Sequence, residues 1–294
     1  MPRSTRILFL VFLVVGIQFP LAGQPGPRTS NNRMDSISAE EGAAMLERMR
    51  EARFAGDFIF EFELRHLPRR GEATLYRGTL FGTWTAAGRL TRVHIDPVPE
   101  KDGMVAPGVG PIRLLIHNGP DPWVVRWESE KEVPVLLKGA ALFEPVIPGL
   151  TYTPFDLQMP FLYWEEDTYE GADRVKGRPA QIFRMKPPAD IQNARPELDS
   201  VRLAIDEDYL ALLRVELLGE DGDALKSFRI LNFKKVMEEW VVKSIDLVDE
   251  ESRDKTRFRV LSAAMGLDLV DSNFEAGRLG SPFRYPEGIA FESL

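Results

Sequence analysis

No cysteine occurs anywhere in the sequence, which excludes disulfides, thiolate metal sites and the lipid-modified cysteine that tethers a bacterial lipoprotein. Bases are outnumbered, with 37 Lys and Arg against 45 Asp and Glu, so neither a general nucleic-acid binder nor a general anionic-membrane binder is expected. Three histidines are present, His66, His94 and His117, and none stands at the i, i+4 spacing of a helical metal site. No G-x-S-x-G elbow, phosphate loop or dinucleotide fingerprint occurs. The sequence names no catalytic cluster, no cofactor and no metal, and an enzyme is the minority reading.

Long apolar runs are also missing. Residues 7–17 form an eleven-residue apolar stretch behind Arg3 and Arg6, too short for a spanning helix of about 20 residues, and Pro20-Leu21-Ala22-Gly23-Gln24 follows. This is the layout of a secretory signal peptide over residues 1–23, with cleavage near Ala22 or Gly23. An uncleaved anchor is the alternative, because Pro20 or Leu21 departs from the small-x-small preference before a cut. Loss of Arg3 and Arg6 takes the formal charge from −8 to −10. Residues 24–34, rich in Pro, Gly, Ser and Asn, read as a flexible leader. Residues 35–294 read as one domain, since barrels and sandwiches reach this size as single units.

What is present is strand after strand. Ser38-Ala39-Glu40-Glu41 is a capping box that predicts a helix over residues 39–53, with Met45, Leu46, Met49 and Ala52 on its apolar side. Residues 57–67 then switch to period two, placing Phe58, Phe60, Phe62 and Leu64 on one face. Strands are expected over residues 72–85, 89–95 and 112–117. Trp123, Val125 and Trp127 form a second aromatic face. Residues 157–164 read as a short helix or a covering loop, and residues 174–186 as a strand bent at Gly177-Arg178-Pro179. Residues 200–261 are a meander: Val201, Leu203 and Ile205, then Leu213, Val215 and Leu217, share faces, and Gly219 to Asp223 supply a hairpin turn. Residues 96–111, with four prolines and three glycines, predict a long loop.

That order, and the wording of residues 150–279, resembles the bacterial LolA-like proteins, the outer-membrane lipoprotein-sorting proteins. The residues that carry it are Leu150-Thr151-Tyr152-Thr153-Pro154-Phe155-Asp156-Leu157, then Val175-Lys176-Gly177-Arg178-Pro179-Ala180 and Pro187-Pro188. Ile205-Asp206, Gly222, Trp240-Val241-Val242-Lys243 and Lys255-Thr256-Arg257-Phe258 follow. Phe274 and Leu279 match the phenylalanine and leucine that close many members. The N-terminal half matches only in its layout of a helix followed by strands. The resemblance implies a mainly β fold, a half-open antiparallel barrel covered by an N-terminal helix and short lid helices, whose apolar concave face holds acyl chains. It further implies a periplasmic carrier with lipoprotein or lipid cargo, membrane-bound donor and acceptor proteins, and no stable anchor of its own. Such carriers use an arginine inside the barrel to hold the lid, which the resemblance matches to no single arginine here.

The expected ligand wall is Phe58, Phe60, Phe62, Trp123 and Trp127 with Met45 and Met49 from the helix, because lipid pockets are mostly apolar surface with few directing polar groups. A plain filled core is the competing reading of the same residues, and a scaffold barrel or a hydrolase the competing functions. Glu165-Glu166-Asp167 reads as a solvated acidic run, and Asp221-Gly222-Asp223 as a turn lacking the other ligands of a calcium loop. Residues 96–111 and 157–164 are the parts expected to move, the latter as an exposed helix.

Overall fold

The period-two pattern of residues 57–67 becomes a strand near the middle of a large sheet. In this computed structural model, residues 36–98, 110–129, 131–237 and 239–294 are described; the expected signal peptide and leader, and most of the 96–111 loop, lie outside them. In chain order, α1 (Ala39–Glu51) precedes β1 (Asp57–Leu67), β2 (Thr74–Thr85), β3 (Gly88–Pro97), β4 (Ile112–Asn118), β5 (Trp123–Glu128) and β6 (Lys131–Leu137). Then come α2 (Pro154–Gln158), β7 (Asp167–Val175), β8 (Arg178–Met185), α3 (Ala189–Ala194), β9 (Ser200–Asp206), β10 (Ala211–Leu218) and β11 (Ala224–Val236). The last elements are β12 (Glu239–Asp249), β13 (Lys255–Leu267) and β14 (Glu292–Ser293).

The strands form one antiparallel sheet in the order β6-β5-β4-β3-β2-β1-β13-β12-β11-β10-β9-β8-β7, with β14 added to β13. The two meanders meet where β1 pairs β13, Phe60 opposite Ala263 and Leu64 opposite Phe258. β6 and β7 are free edges, so the barrel is half-open. β12 pairs β13 only from Ser244–Arg259 to Val248–Lys255. Farther along β13, Ser262 and Ala263 pair instead with β14.

Local chemistry accounts for several element ends. Ser38 caps α1, with both arms of the capping box formed, which satisfies amides the helix itself leaves open. The β10–β11 turn has Gly222 at φ 79°, a conformation that glycine adopts without steric penalty. Residues 174–186 are not one bent strand: Lys176 and Gly177, at φ 51° and 83°, make a two-residue hairpin turn between β7 and β8. Successive positive φ values match the twist of antiparallel strands, so a tight hairpin replaces the expected bend. α1 also stops at Glu51, short of the expected Arg53.

Both faces of the sheet carry apolar clusters. The large one lies on the concave side and joins α1 and residues 146–164 to strands from both meanders. A second, on the convex side of β1 to β5, gathers Ile59, Phe81, Leu115 and Val125 under Leu269, Phe274, Leu279 and Phe283 of the C-terminal segment. A small third cluster sits on β7 to β10.

Candidate functional site: a covered concave face

The concave wall begins with β1. Phe58, Phe60 and Phe62 are at most 3% exposed, and their side chains share one face through strand alternation. Phe58 stands opposite Gly82 and Phe62 opposite Gly78 on β2. A Cβ on Gly82 would lie 1.9 Å from the Phe58 ring, and one on Gly78 2.4 Å from the Phe62 ring. The glycines therefore let both rings lie down on the neighbouring strand, the reason for glycine inside a strand. The rings of Phe54, Phe58 and Phe60 pack in sequence, 4.9 Å and 4.7 Å between centroids.

α1 lies across this wall. Met45, Leu46 and Met49 are buried in the same cluster as the phenylalanines. The start of the helix is tied to the far strands: the Ile37 amide donates to the Tyr169 hydroxyl, which donates to Gln181 Oε1 at 2.6 Å. Its end is tied to the covering segment, where Arg50 Nε donates to the Leu162 carbonyl at 2.5 Å.

That segment, residues 146–164, fills the concavity. It contains α2 and a short 3₁₀ turn, Pro160–Tyr163, joined at Met159 in the left-handed region. Tyr152, Phe155, Leu157 and Phe161 are at most 1% exposed, so residues 157–164 are not the exposed helix expected from sequence. Apolar periodicity in so short a piece does not separate a surface helix from a buried one. At one end the segment is clamped by charge: Lys226 Nζ donates to Asp156 Oδ2 at 2.7 Å and to the Thr151 carbonyl at 2.8 Å. Asp156 also closes a capping box with Thr153. At the other end Asn118 Nδ2 donates to the Gln158 carbonyl at 2.6 Å. Breaking a buried pair such as Lys226–Asp156 by removing one partner costs about 3–5 kcal/mol.

Arg89 is the charged residue sequence reasoning missed. It is 6% exposed and shares its face of β3 with Thr91, Val93 and Ile95. Burial lowers its guanidinium to about 10, opposed by Tyr163 of the covering segment. Burial in turn raises the Tyr163 hydroxyl, opposed by Arg89 and Arg50. The parity of Arg89 with Val93 and Ile95 was the available signal, since an arginine in an apolar row is seldom buried without a task. Lys226, in step with Phe228 and Ile230 on β11, carried the same signal.

Of the seven residues expected to form one wall, the structure brings five together: Met45, Met49, Phe58, Phe60 and Phe62. Trp123 and Trp127 pack against the convex cluster, on the other side of the sheet. Trp123 stacks on His117 there, 5.6 Å between centroids. A cavity of about 520 Å³ opens at one mouth of the barrel, beside His66, Phe143, Leu150, Thr153, Lys226 and Asp254. Burial lowers the His66 imidazole, opposed by Asp254.

The histidines are engaged separately. His66 Nδ1 lies 3.3 Å from Thr256 Oγ1, His94 Nε2 accepts from Arg92 Nε at 2.8 Å, and His117 faces the carbonyls of Asp121 and Ala87. Among the described residues no group of three or more His, Asp or Glu is placed to hold a metal. The arrangement offers an apolar wall, a cover that stands outside the strand ladder and buried charges that hold the cover.

An outer membrane lipoprotein-sorting protein domain from Vibrio parahaemolyticus superposes with a TM-score of 0.68 at 15% identity, over 82% of this chain and 99% of that one. The chain has a LolA-like fold. A DUF1329 family protein from Desulfovibrio piger gives 0.67 at 14% identity, over 82% of this chain and 98% of that one. A LolA superfamily protein from Nitrosomonas europaea gives 0.56 at 16% identity, over 79% and 96%. A protein-family model described as "uncharacterized protein" matches residues 156–281 of the LolA-like chain. No curated protein matches it in sequence.

Proposed function

We propose that this LolA-like protein is a periplasmic carrier that takes acyl chains of a lipoprotein or another lipid against its concave face and delivers them toward the outer membrane. One observation carries the reading: the cover is not part of the sheet. α1 and residues 146–164 lie over the wall without joining the strand ladder. Side-chain clamps from Arg50, Asn118 and Lys226 hold them. Such a cover can withdraw while every strand keeps its partners.

Phe58, Phe60 and Phe62, with Met45 and Met49, are the surface an acyl chain would replace the cover on. Each buried methylene contributes about 0.8 kcal/mol, so a long chain can offset the loss of cover contacts. Met side chains, unbranched and polarisable, repack at low cost. The role is binding and transfer without catalysis, with membrane-bound donor and acceptor proteins as partners. The signal-peptide layout read in residues 1–23 supports the periplasmic placement, and among the described residues no helix is long and apolar enough to cross a membrane.

Mass spectrometry of organic extracts from natively purified protein tests the proposal. Acyl lipid should accompany the wild type, and Phe60→Ala should carry several times less while still folding, with Phe60→Leu intermediate. The closed packing of Phe60, 0% exposed, favours a second reading, a scaffold with a permanently filled core. Absence of acyl lipid from the wild type, together with failure to take up a fluorescent acylated peptide, would select that reading.

A further inference from the structure

The two free edges of the sheet are finished differently. β7 is protected in the usual ways: Asp167, Glu170, Asp173 and Arg174 are exposed along it, and its register shifts between Tyr169 and Gly171. Charges and bulges discourage strand addition. β6 has the opposite character. Val133, Val135 and Leu136 are 71%, 49% and 45% exposed.

These side chains surround the edge. Val135 stands beside Arg126 on the concave side and Leu136 beside Val125 on the convex side. Pro134 sits between them without a backbone N–H, which interrupts the donor row that an added strand needs. The same missing donor lowers the cost of moving the edge out of water. Lys131 and Lys138 flank the apolar stretch, both exposed; Lys131 adjoins Glu130 and Glu132 in sequence and pairs with Glu128 at 3.1 Å, so Lys138 is the more basic end.

We propose that β6 is a membrane-contact edge: Val133, Val135 and Leu136 enter the interfacial region of a phospholipid surface, and Lys131 and Lys138 meet headgroup phosphates. A two-sided apolar edge whose donor row is broken at Pro134 fits a medium that envelops it better than another strand. Lysines at its two ends can keep their ammonium groups in the headgroup layer while their stems lie along apolar surface. The 3₁₀ turn Gly139–Leu142, directly after β6, contributes Ala140 to the lining of the mouth cavity. Docking by this edge therefore sets that mouth beside the lipid. The contact goes beyond the carrier reading and does not require that the concave face take cargo.

Cosedimentation of the full chain with vesicles of equimolar phosphatidylethanolamine and phosphatidylglycerol tests it. The wild type should pellet with vesicles. The triple variant Val133→Gln, Val135→Gln, Leu136→Gln should show at least a tenfold lower partition, the effect of losing roughly two methylenes of burial, with an unchanged thermal midpoint. Lys131→Gln with Lys138→Gln should lower partition about threefold or more. Phe60→Ala should pellet like the wild type, which separates this contact from cargo binding. A wild type that stays in the supernatant, or a triple variant that partitions within twofold of it, overturns the proposal. So does a dimer by light scattering that the triple variant dissolves, because the edge would then be an interface between copies.

Discussion

The convex faces of the two meanders solve one problem in opposite ways. On the β1 to β5 side the outer face is apolar and the chain covers it: Phe283 stacks on Phe81 at 3.6 Å between centroids. Arg92 beneath donates to the carbonyls of Asn273, Leu279 and Ser281 at 2.7, 3.1 and 2.7 Å. On the β7 to β13 side much of the outer face carries ion pairs. Glu170 receives Arg184 and Arg202, Asp206 receives Arg178, and Asp246 receives Arg257 and Lys255. A strap removes apolar area from water, worth about 25 cal/mol per Å², whereas the partly exposed pairs of Glu170 contribute about 0–1 kcal/mol each. Asp206 and Asp246 are buried carboxylates and are held more firmly by their partners. The strapped half should therefore anchor the sheet, and the strands around Glu170 should be the more compliant part.

Phe283→Ala should break the comparison most. Removing a ring that is 8% exposed is expected to cost about 3 kcal/mol, read as a lowered urea midpoint. The loss should be accompanied by faster amide exchange in β2 and β3 than in β9 and β10. Equal acceleration in both halves would show that the strap does not act locally.

Acid should loosen the same half next. His94, edge-on to the stacked rings of Phe81 and Phe283, has its pKa lowered to about 2 by burial and by the neighbouring charges of Arg113 and Arg92. The unfolded chain takes up this proton below about 6.5 and the folded chain does not. Stability contributed here is thus present above about 6.5 and falls as pH drops, by up to about 1.4 kcal/mol per pH unit. His94→Gln should flatten the pH dependence of the melting temperature between pH 7 and 5, and an unchanged slope would assign that dependence elsewhere.

The smallest effect is expected on the ion-paired face. Glu170→Gln, which weakens two pairs at 22% exposure of the Glu170 side chain, should cost less than about 1 kcal/mol, and added salt should shrink the difference. A loss as large as that of Phe283→Ala would mean that the ion pairs, not the strap, hold the sheet.

These differences explain what the sequence disclosed. Clean alternation in β1 was readable because Glu61, Glu63 and Arg65 mark its second face, and the α1 capping box and the Gly222 turn follow from local chemistry. Trp123 and Trp127 read from sequence as part of the same wall as Phe60 because alternation reports which residues share a face, not which face is concave. In β5 both faces are at least partly covered, so the polar marker that orients β1 is weak there. The burial of residues 157–164 depends on Lys226, 70 residues beyond its partner Asp156, and no local pattern encodes such a distance. β6 lacks alternation because apolar side chains occupy both sides of it, and it was not expected as a strand.

The flattened rings of Phe58 and Phe62 have a consequence for how this wall can diverge. Each ring occupies the space where its partner glycine would carry a methyl group. Gly82 cannot acquire a side chain unless Phe58 shrinks or turns away, whereas Gly78 is fixed twice, by the Phe62 ring and by the His94 carbonyl oxygen, which a Cβ would approach to 2.3 Å. Variation at the Gly82–Phe58 pair should therefore be inherited together: alanine or larger at 82 should accompany a smaller or rerouted residue at 58, while position 78 should stay glycine. Two glycines in one strand would then identify relatives that retain the same hollow, even where the aromatic residues alone look interchangeable.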